Sequence, residues 1–414
     1  MVLILNQKQP QIQIVDLLSK ELGKNIYCEI ENGKIVGMDL SDTPIQNLEP
    51  ISGFRSLRWL SLRNCKRIEN LDPLKNLRNL MELDLSYTKI ADLGSLKHLK
   101  KLRKLSLRGC VNVEKIDPIS SLRELEELIL DKTYIENISP LSRLRKLRKL
   151  SLWFARIIGD FRTLSKLRNL EILNLGGTQF SECELLGGLR KLSRLILSAT
   201  KIYDCGALSQ LKNLRVLHIN NTQVSEIGFI KELRFLRELS LNATAMQNPR
   251  PIEHLKYLEV LDLGNTNIYE TEFLSKLKSL RVLNLSNTGI DRLSEIGNLM
   301  GLEILDVSST LVEDISDLAA LKALRVLDIS SCFIYDISVV EKLQSLERLY
   351  LDGTPIHDLT PVIRLVKRFR RLKVVDISGC DVPTEQIAKL KRLGVNVLMK
   401  TLEEIIEEHD SEIT

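Results

Sequence analysis

The sequence predicts an α/β solenoid, one elongated domain in which a short strand and a turn-rich return alternate along the chain. Three observations predict it. The first is an eleven-residue stretch, written cleanly as LRVLNLSNTGI, whose fixed letters are Leu280, Leu283, Leu285, Thr288 and Ile290. The second is recurrence: sixteen copies begin at Ile35, Leu57, Leu80, Leu102, Leu125, Leu147, Leu170, Leu192, Leu214, Leu236, Leu258, Leu280, Leu302, Leu324, Leu346 and Leu372. The third is the step, 22 or 23 residues throughout except for 26 before the last copy. A fixed period decides the architecture before any single residue does, because each unit buries its apolar face only against its neighbours. For that reason the 414 residues read as one domain, although length alone suggests two or three.

Residues 1–34 precede the first full copy. Pro10 to Leu22 is a predicted helix with Ile14, Leu17, Leu18 and Leu22 on one face and Gly23 as its stop. Asn32-Gly33 lies between two β-rich runs and predicts a hairpin. The second arm of that hairpin runs into the first repeat, so the segment is expected to cap an otherwise exposed core end. Repeats fill residues 35–382. In each, the x-Leu-x-Leu-x alternation predicts a short strand. The return, as in IENISPLSRLRKL, is too short and too often interrupted by Pro for a long helix, so turns and 3₁₀ segments are expected. Over residues 383–400, Thr384 is placed to N-cap a helix from Glu385 to Leu393, Gly394 to stop it, and VNVLM to form one more strand. Residues 401–414 are an acidic tail with no Lys or Arg, whose Leu402, Ile405 and Ile406 are expected to dock on this cap or else to take part in a partner contact.

The units match the leucine-rich repeat consensus. They resemble the 22-residue class of that family, seen in bacterial internalins and in the leucine-rich regulatory subunit of type-1 protein phosphatase. The resemblance implies a right-handed solenoid with a parallel concave β-sheet and a convex side of 3₁₀ segments and turns. One column departs from the class. Where the family usually has Asn, this chain has Thr in eleven copies (43, 88, 133, 178, 200, 222, 244, 266, 288, 310, 354), Cys at 65, 110, 332 and 380, and Ala at 155. A Thr hydroxyl can donate and accept in a similar buried ladder, and Cys is a small hydrophobe with a weak donor.

Composition narrows the function. The formal charge is +5, and the acidic tail leaves the remainder mildly basic, below what indicates nucleic acid as the partner. Seven Cys, an odd number with no CxxC or Cys/His pairing, argue against a disulfide framework or zinc site and for a reducing compartment. The start of the chain does not read as a signal peptide, and no run of eighteen apolar residues occurs. A cytoplasmic monomer without metal or cofactor is the expectation. No GxSxG, P-loop or HExxH is present and the five His are scattered, so the chain is not expected to be an enzyme.

What remains is the set of variable strand residues, which stack into columns at the strand spacing. Both tryptophans of the chain, Trp59 and Trp153, fall on positions predicted to face outward, four strands apart and so roughly 19 Å from one another. Tyr87 and Phe154 lie just beyond the strands, and Arg63, Lys104 and Arg108 stand between. Trp, Tyr and Arg are the usual anchors of protein interfaces, and the apolar core has no place for tryptophan at these positions. Glu82, Lys104, Glu127 and Lys149 alternate in sign on successive strands and are expected to satisfy one another.

A second pattern lies before the strands. Arg78, Lys100, Arg123, Arg145, Arg168 and Arg190 hold the same position in six successive repeats, and the column continues through Lys212, Arg234, Lys256 and Lys278. A stripe this regular can follow a polyanion, a nucleic acid or an acidic membrane surface. With no aromatics interleaved, simple solubility of an exposed flank accounts for it as well. The expected function is therefore a non-catalytic scaffold that binds a partner protein on its concave face, and the resemblance to the phosphatase regulatory subunit implies that this partner is an enzyme whose activity or location it controls. The alternatives are a polyanion-binding module using the stripe and a secreted adhesin or effector of the internalin kind.

Overall fold

The computed structural model describes residues 10–399 and divides into two compact units, residues 1–202 and 203–414. The acidic tail lies outside the described residues.

In the first unit, α1 (Pro10–Leu22) is followed by the hairpin of β1 (Tyr27–Glu31) and β2 (Lys34–Asp39). Asn32 and Gly33 both take positive φ, 47° and 73°, as a two-residue turn matched to the strand twist requires. On α1 the inward face is set by Gln11, Ile14, Leu18 and Leu22, one every three or four residues. Gln11 Oε1 accepts the Ile35 amide at 3.3 Å. Leu18 is buried, but Leu17 is 65% exposed, which corrects its expected place on that face. It lies about 100° around the helix from Leu18, too far to share its contact.

β2 pairs in parallel with β3 (Trp59–Ser61), placing Gly37 beside Trp59. β4 (Glu82–Asp84), β5 (Lys104–Ser106) and β6 (Glu127–Ile129) follow at one strand per repeat. A second, two-stranded pairing joins β7 (Tyr134–Ile135) to β9 (Arg156–Ile157), on either side of β8 (Lys149–Ser151). β8 continues the main sheet between β6 and β10 (Ile172–Asn174), and β11 (Arg194–Ile196) is the last strand of this unit. The returns are 3₁₀ segments such as Asp72–Asn76 and Ser139–Arg143, with Pro at their starts. Proline fits there because its fixed φ suits the turn and its missing N–H is not needed.

The second unit repeats the plan from β12 (Val216–His218) to β18 (Arg348–Tyr350), in register with Leu opposite Leu at every pairing. Its final step differs from expectation. The 26-residue unit holds α2 (Thr360–Phe369), which buries Val362, Ile363, Leu365 and Val366 and ends at Arg370 in the left-handed region. The extra residues let an α-helical turn replace the tighter 3₁₀ return. β19 (Val374–Asp376), α3 (Thr384–Arg392) and β20 (Asn396–Leu398) close the unit. Thr384 is the first residue of α3 rather than its cap; Pro383 caps it, and no side chain bonds the helix start.

In both units the fixed apolar letters form the core: Leu280, Leu283, Leu285 and Ile290 are fully buried, as are their counterparts at Leu80, Leu83, Leu85 and Ile90 to within 2%. Burying each such side chain contributes roughly 1.5–3 kcal/mol. The Thr column is buried as well, but its bonds are more local than expected. Thr244 Oγ1 donates to the Leu241 carbonyl of its own repeat at 2.6 Å, and the other ten Thr do the same at 2.5–2.8 Å. The four Cys reach back instead. Cys65, Cys110, Cys332 and Cys380 each place Sγ 3.0–3.1 Å from the carbonyl already bonded by the Thr one repeat earlier.

One regularity escaped the sequence. The residue just before the Thr column has positive φ in all sixteen copies, from Asp42 to Gly379. In most copies it is Asn, Gly, Ser or Ala. In the third, fifth and sixth copies it is Tyr87, Lys132 and Phe154, with φ of 59°, 54° and 51°, a conformation that costs a side-chain-bearing residue roughly 1–2 kcal/mol.

Candidate interaction surface

The outward face of the first unit carries two adjoining features between β3 and β8. The first is a depression of about 270 Å³ lined by Trp59, Glu82, Asp84, Lys104, Glu127 and Ile129, among others. Its charges are largely spent on one another. Lys104 Nζ lies 2.7 Å from Glu82 and Lys149 Nζ lies 2.5 Å from Glu127, and the bond to Glu82 raises the Lys104 pKa above the ordinary lysine range. Trp59 is also engaged. Its indole N–H donates to Glu29 Oε2 at 2.6 Å, Tyr27 stacks on it at 6.1 Å, and it covers Gly37, where any Cβ would overlap the ring. The N-terminal hairpin thus clasps Trp59 and leaves it half-buried.

The second feature is a ridge along the turns that follow the strands. Arg63 lies over the Tyr87 ring at 5.8 Å. Arg108 and Lys132 lie over Trp153 at 5.6 and 4.8 Å, and Phe154 meets Trp153 edge-on at 4.8 Å. Asp131 ties this group together: it is buried, accepts the Trp153 amide at 2.9 Å and the Ser151 hydroxyl at 2.5 Å, and faces Arg108 at 3.9 Å. The left-handed turns aim the rings forward over the next repeat, where glycine makes room. A Cβ on Gly109 would sit 2.5 Å from the Tyr87 ring, and one on Gly177 would sit 2.7 Å from Phe154. Arg63, Tyr87, Arg108, Trp153 and Phe154 are therefore brought into two contiguous clusters, while Trp59 and Lys104 belong to the depression. Lys132 went unread in the sequence, because a lone lysine in a variable column carries no signal until its ring partner is known.

The chain matches the family described as "Leucine-rich repeat region" over residues 38–205 and "Leucine Rich repeats (2 copies)" over residues 278–320. The chain is a leucine-rich repeat protein. Its fold is that of the internalin InlF of Listeria monocytogenes, with a TM-score of 0.65 at 23% identity over 88% of this chain and 96% of that one. A leucine-rich repeat protein of Leptospira interrogans superimposes with a TM-score of 0.77 at 24% identity, over 87% and 94% of the two chains. The functional domain of Listeria monocytogenes InlJ, which includes a cysteine ladder, gives 0.68 at 18% identity over 83% and 74%. No curated protein matches the sequence. These likenesses are of fold, and the leucine-rich repeat fold is commonly a protein–protein interaction scaffold.

The basic stripe of this leucine-rich repeat protein lies on two-residue turns leading into the strands. Arg78, Lys100, Arg123, Arg145, Arg168 and Arg190 are all exposed, and Lys100 Nζ donates to the Ser121 carbonyl at 3.5 Å. In the second unit the stripe does have aromatic neighbours, contrary to expectation. Phe235 and Tyr257 follow Arg234 and Lys256 directly, are 57% and 56% exposed, and stack at 6.4 Å. They stand one residue beyond the stripe in sequence, and the shared turn geometry sets them side by side.

Acidic residues in the middle strand column of the second unit are structural. Asp306 accepts the Ser308 amide and hydroxyl at 2.9 and 2.7 Å, and Asp328 accepts the Ser330 amide at 3.0 Å. Burial pushes the Asp328 carboxyl above its usual range. Among the described residues no His, Cys, Asp and Glu cluster could hold a metal ion, and no helix is long and apolar enough to cross a membrane.

Proposed function

We propose that this chain is a non-catalytic scaffold that holds a partner protein on the outward sheet face of its first unit, and thereby controls the partner's activity or placement. The ridge is the observation that supports it. Large aromatic and cationic side chains are fixed against one another there, at a conformational cost, while Phe154 stays 52% exposed. Side chains already ordered lose little entropy when a partner covers them, and Trp, Tyr and Arg anchors supply most interface energy.

Affinity capture with cross-linking on the full chain tests the reading. Cross-links from a bound partner are expected within residues 59–156, and Tyr87→Ala with Trp153→Ala should release the partner. Retention by that double variant would end the proposal.

The stacked Phe235 and Tyr257 support a second reading, in which the second unit binds a polyanion through Arg234 and Lys256. Such binding should weaken steeply as salt rises; a flat response would remove it.

A further inference from the structure

We infer that the partner segment held by the ridge is acidic, an extended peptide rich in carboxylates that runs along the turns after β3 to β8. This inference rests on the reading just proposed and adds the chemistry of the partner. The turn residues from 63–67, 86–89, 108–112, 131–134 and 153–156 carry seven cations and one carboxylate. The equivalent stretches of the second unit, such as 220–223 NNTQ, 264–267 GNTN and 308–311 SSTL, carry no cation. The charge is therefore not a property of the repeat but of these five copies.

Nor is the charge consumed internally. Among the described residues, Arg63, Lys66, Arg67, Lys89, Lys132 and Arg156 have no ion-pair partner within 4.0 Å. The single carboxylate, Asp131, is buried and held by the Trp153 amide and the Ser151 hydroxyl. This contrasts with the neighbouring depression, whose Lys104–Glu82 and Lys149–Glu127 pairs are closed at 2.7 and 2.5 Å.

Geometry makes the cations suitable for carboxylates. Arg63 and Arg108 lie over the Tyr87 and Trp153 rings. A ring beside the guanidinium holds it in place and leaves N–H groups at its rim to grip a planar anion. Successive sites lie one strand apart, at roughly 4.8 Å. A peptide crossing the strands in extended form places same-side residues roughly 6.6–6.8 Å apart, so its carboxylates meet different repeats in turn.

The test uses the full-length protein and a fluorescein-labelled dodecapeptide of alternating Glu and Phe, read by anisotropy. Its Gln/Phe counterpart and a single-stranded oligothymidylate serve as comparisons. The Glu peptide is expected to bind at least about tenfold tighter than the Gln peptide, with affinity falling as salt rises. Arg63→Gln with Lys132→Gln should weaken it by about tenfold, whereas Lys276→Gln, on an exposed return of the second unit, should leave it unchanged. All three residues are exposed, and circular dichroism checks that the variants fold. Equal binding of the two peptides, an equal effect of Lys276→Gln, no binding of the Glu peptide, or tighter binding of the oligothymidylate would each overturn the inference. A captured partner that is lost with Tyr87→Ala and Trp153→Ala but kept with the Gln variants would refute acidity alone. One kept by both sets would refute the face itself.

Discussion

The Thr column lends itself to a measurement within one unit. Thr244→Val preserves shape and removes only the hydroxyl. The Leu241 carbonyl accepts that hydroxyl at 2.6 Å, and among the described residues it receives no second donor. Val in its place forfeits a hydrogen bond, about 0.5–1.5 kcal/mol net, and strands a buried acceptor, which costs about 1–3 kcal/mol. Thr310→Val is the control. The Val307 carbonyl accepts both the Thr310 hydroxyl at 2.6 Å and the Cys332 thiol at 3.1 Å, so it keeps a partner when the hydroxyl goes. The expected cost is then the hydrogen-bond term alone. Urea unfolding followed by far-ultraviolet circular dichroism, with hydrogen exchange to localise the loss, should show Thr244→Val as the worse by about 1–2 kcal/mol. Adding Cys332→Ala to Thr310→Val should bring back the full cost, a non-additivity expected only of residues that share a partner. Equal losses for the two single variants would show that the thiol does not satisfy the carbonyl.

Three further outcomes follow from the geometry. Gly37→Ala places a methyl where the Trp59 indole lies. It should break the Glu29 bond and the Tyr27 stack, cost about 2–4 kcal/mol and raise acrylamide quenching of tryptophan fluorescence; unchanged quenching would refute it. Gly109→Ala pays for a left-handed alanine and for contact with the Tyr87 ring, whereas Gly23→Ala, with nothing within 4 Å, pays only the first. The gap should be about 1–3 kcal/mol in unfolding free energy, and its absence would mean that the ring moves aside freely. Glu347 accepts from Arg325 and Lys373, which lower its pKa from 4.5 to about 2. A depressed carboxyl adds stability above its unfolded value and loses it as pH falls through the folded one, so its contribution should fade between 4.5 and about 2. Carboxyl-carbon resonances should titrate in that range, and Arg325→Gln should shift the midpoint upward.

The scaffold was legible because its cause is periodic. Leu at fixed intervals can be buried only by stacking, and the strands, the turn-rich returns and the hairpin at Asn32-Gly33 all follow from local pattern. Trp59 shows where pattern stops. Its column places it facing outward, yet what occupies its indole is Glu29, thirty residues earlier in the chain, on a hairpin whose register no repeat dictates. The same holds for α2, signalled only by a step of 26 residues. The ridge was half legible. Arg63, Tyr87, Arg108, Trp153 and Phe154 stood out by residue type, but the left-handed turn that joins them is filled by Asn, Tyr, Gly, Lys, Ala and Ser alike, so composition hid a backbone rule that every copy obeys.

That turn limits how the protein can vary. A ring at this position leans onto the next repeat and needs glycine there, as Tyr87 needs Gly109 and Phe154 needs Gly177. Two rings cannot occupy this turn position in consecutive repeats, so aromatic anchors placed there come no closer than every second unit, roughly 10 Å apart. Duplicating a repeat that bears a ring would set one ring against another, while duplicating it together with its glycine successor would not. Lineages that lengthen this array, and engineers who graft new specificity onto it, would therefore do best to move repeats in pairs.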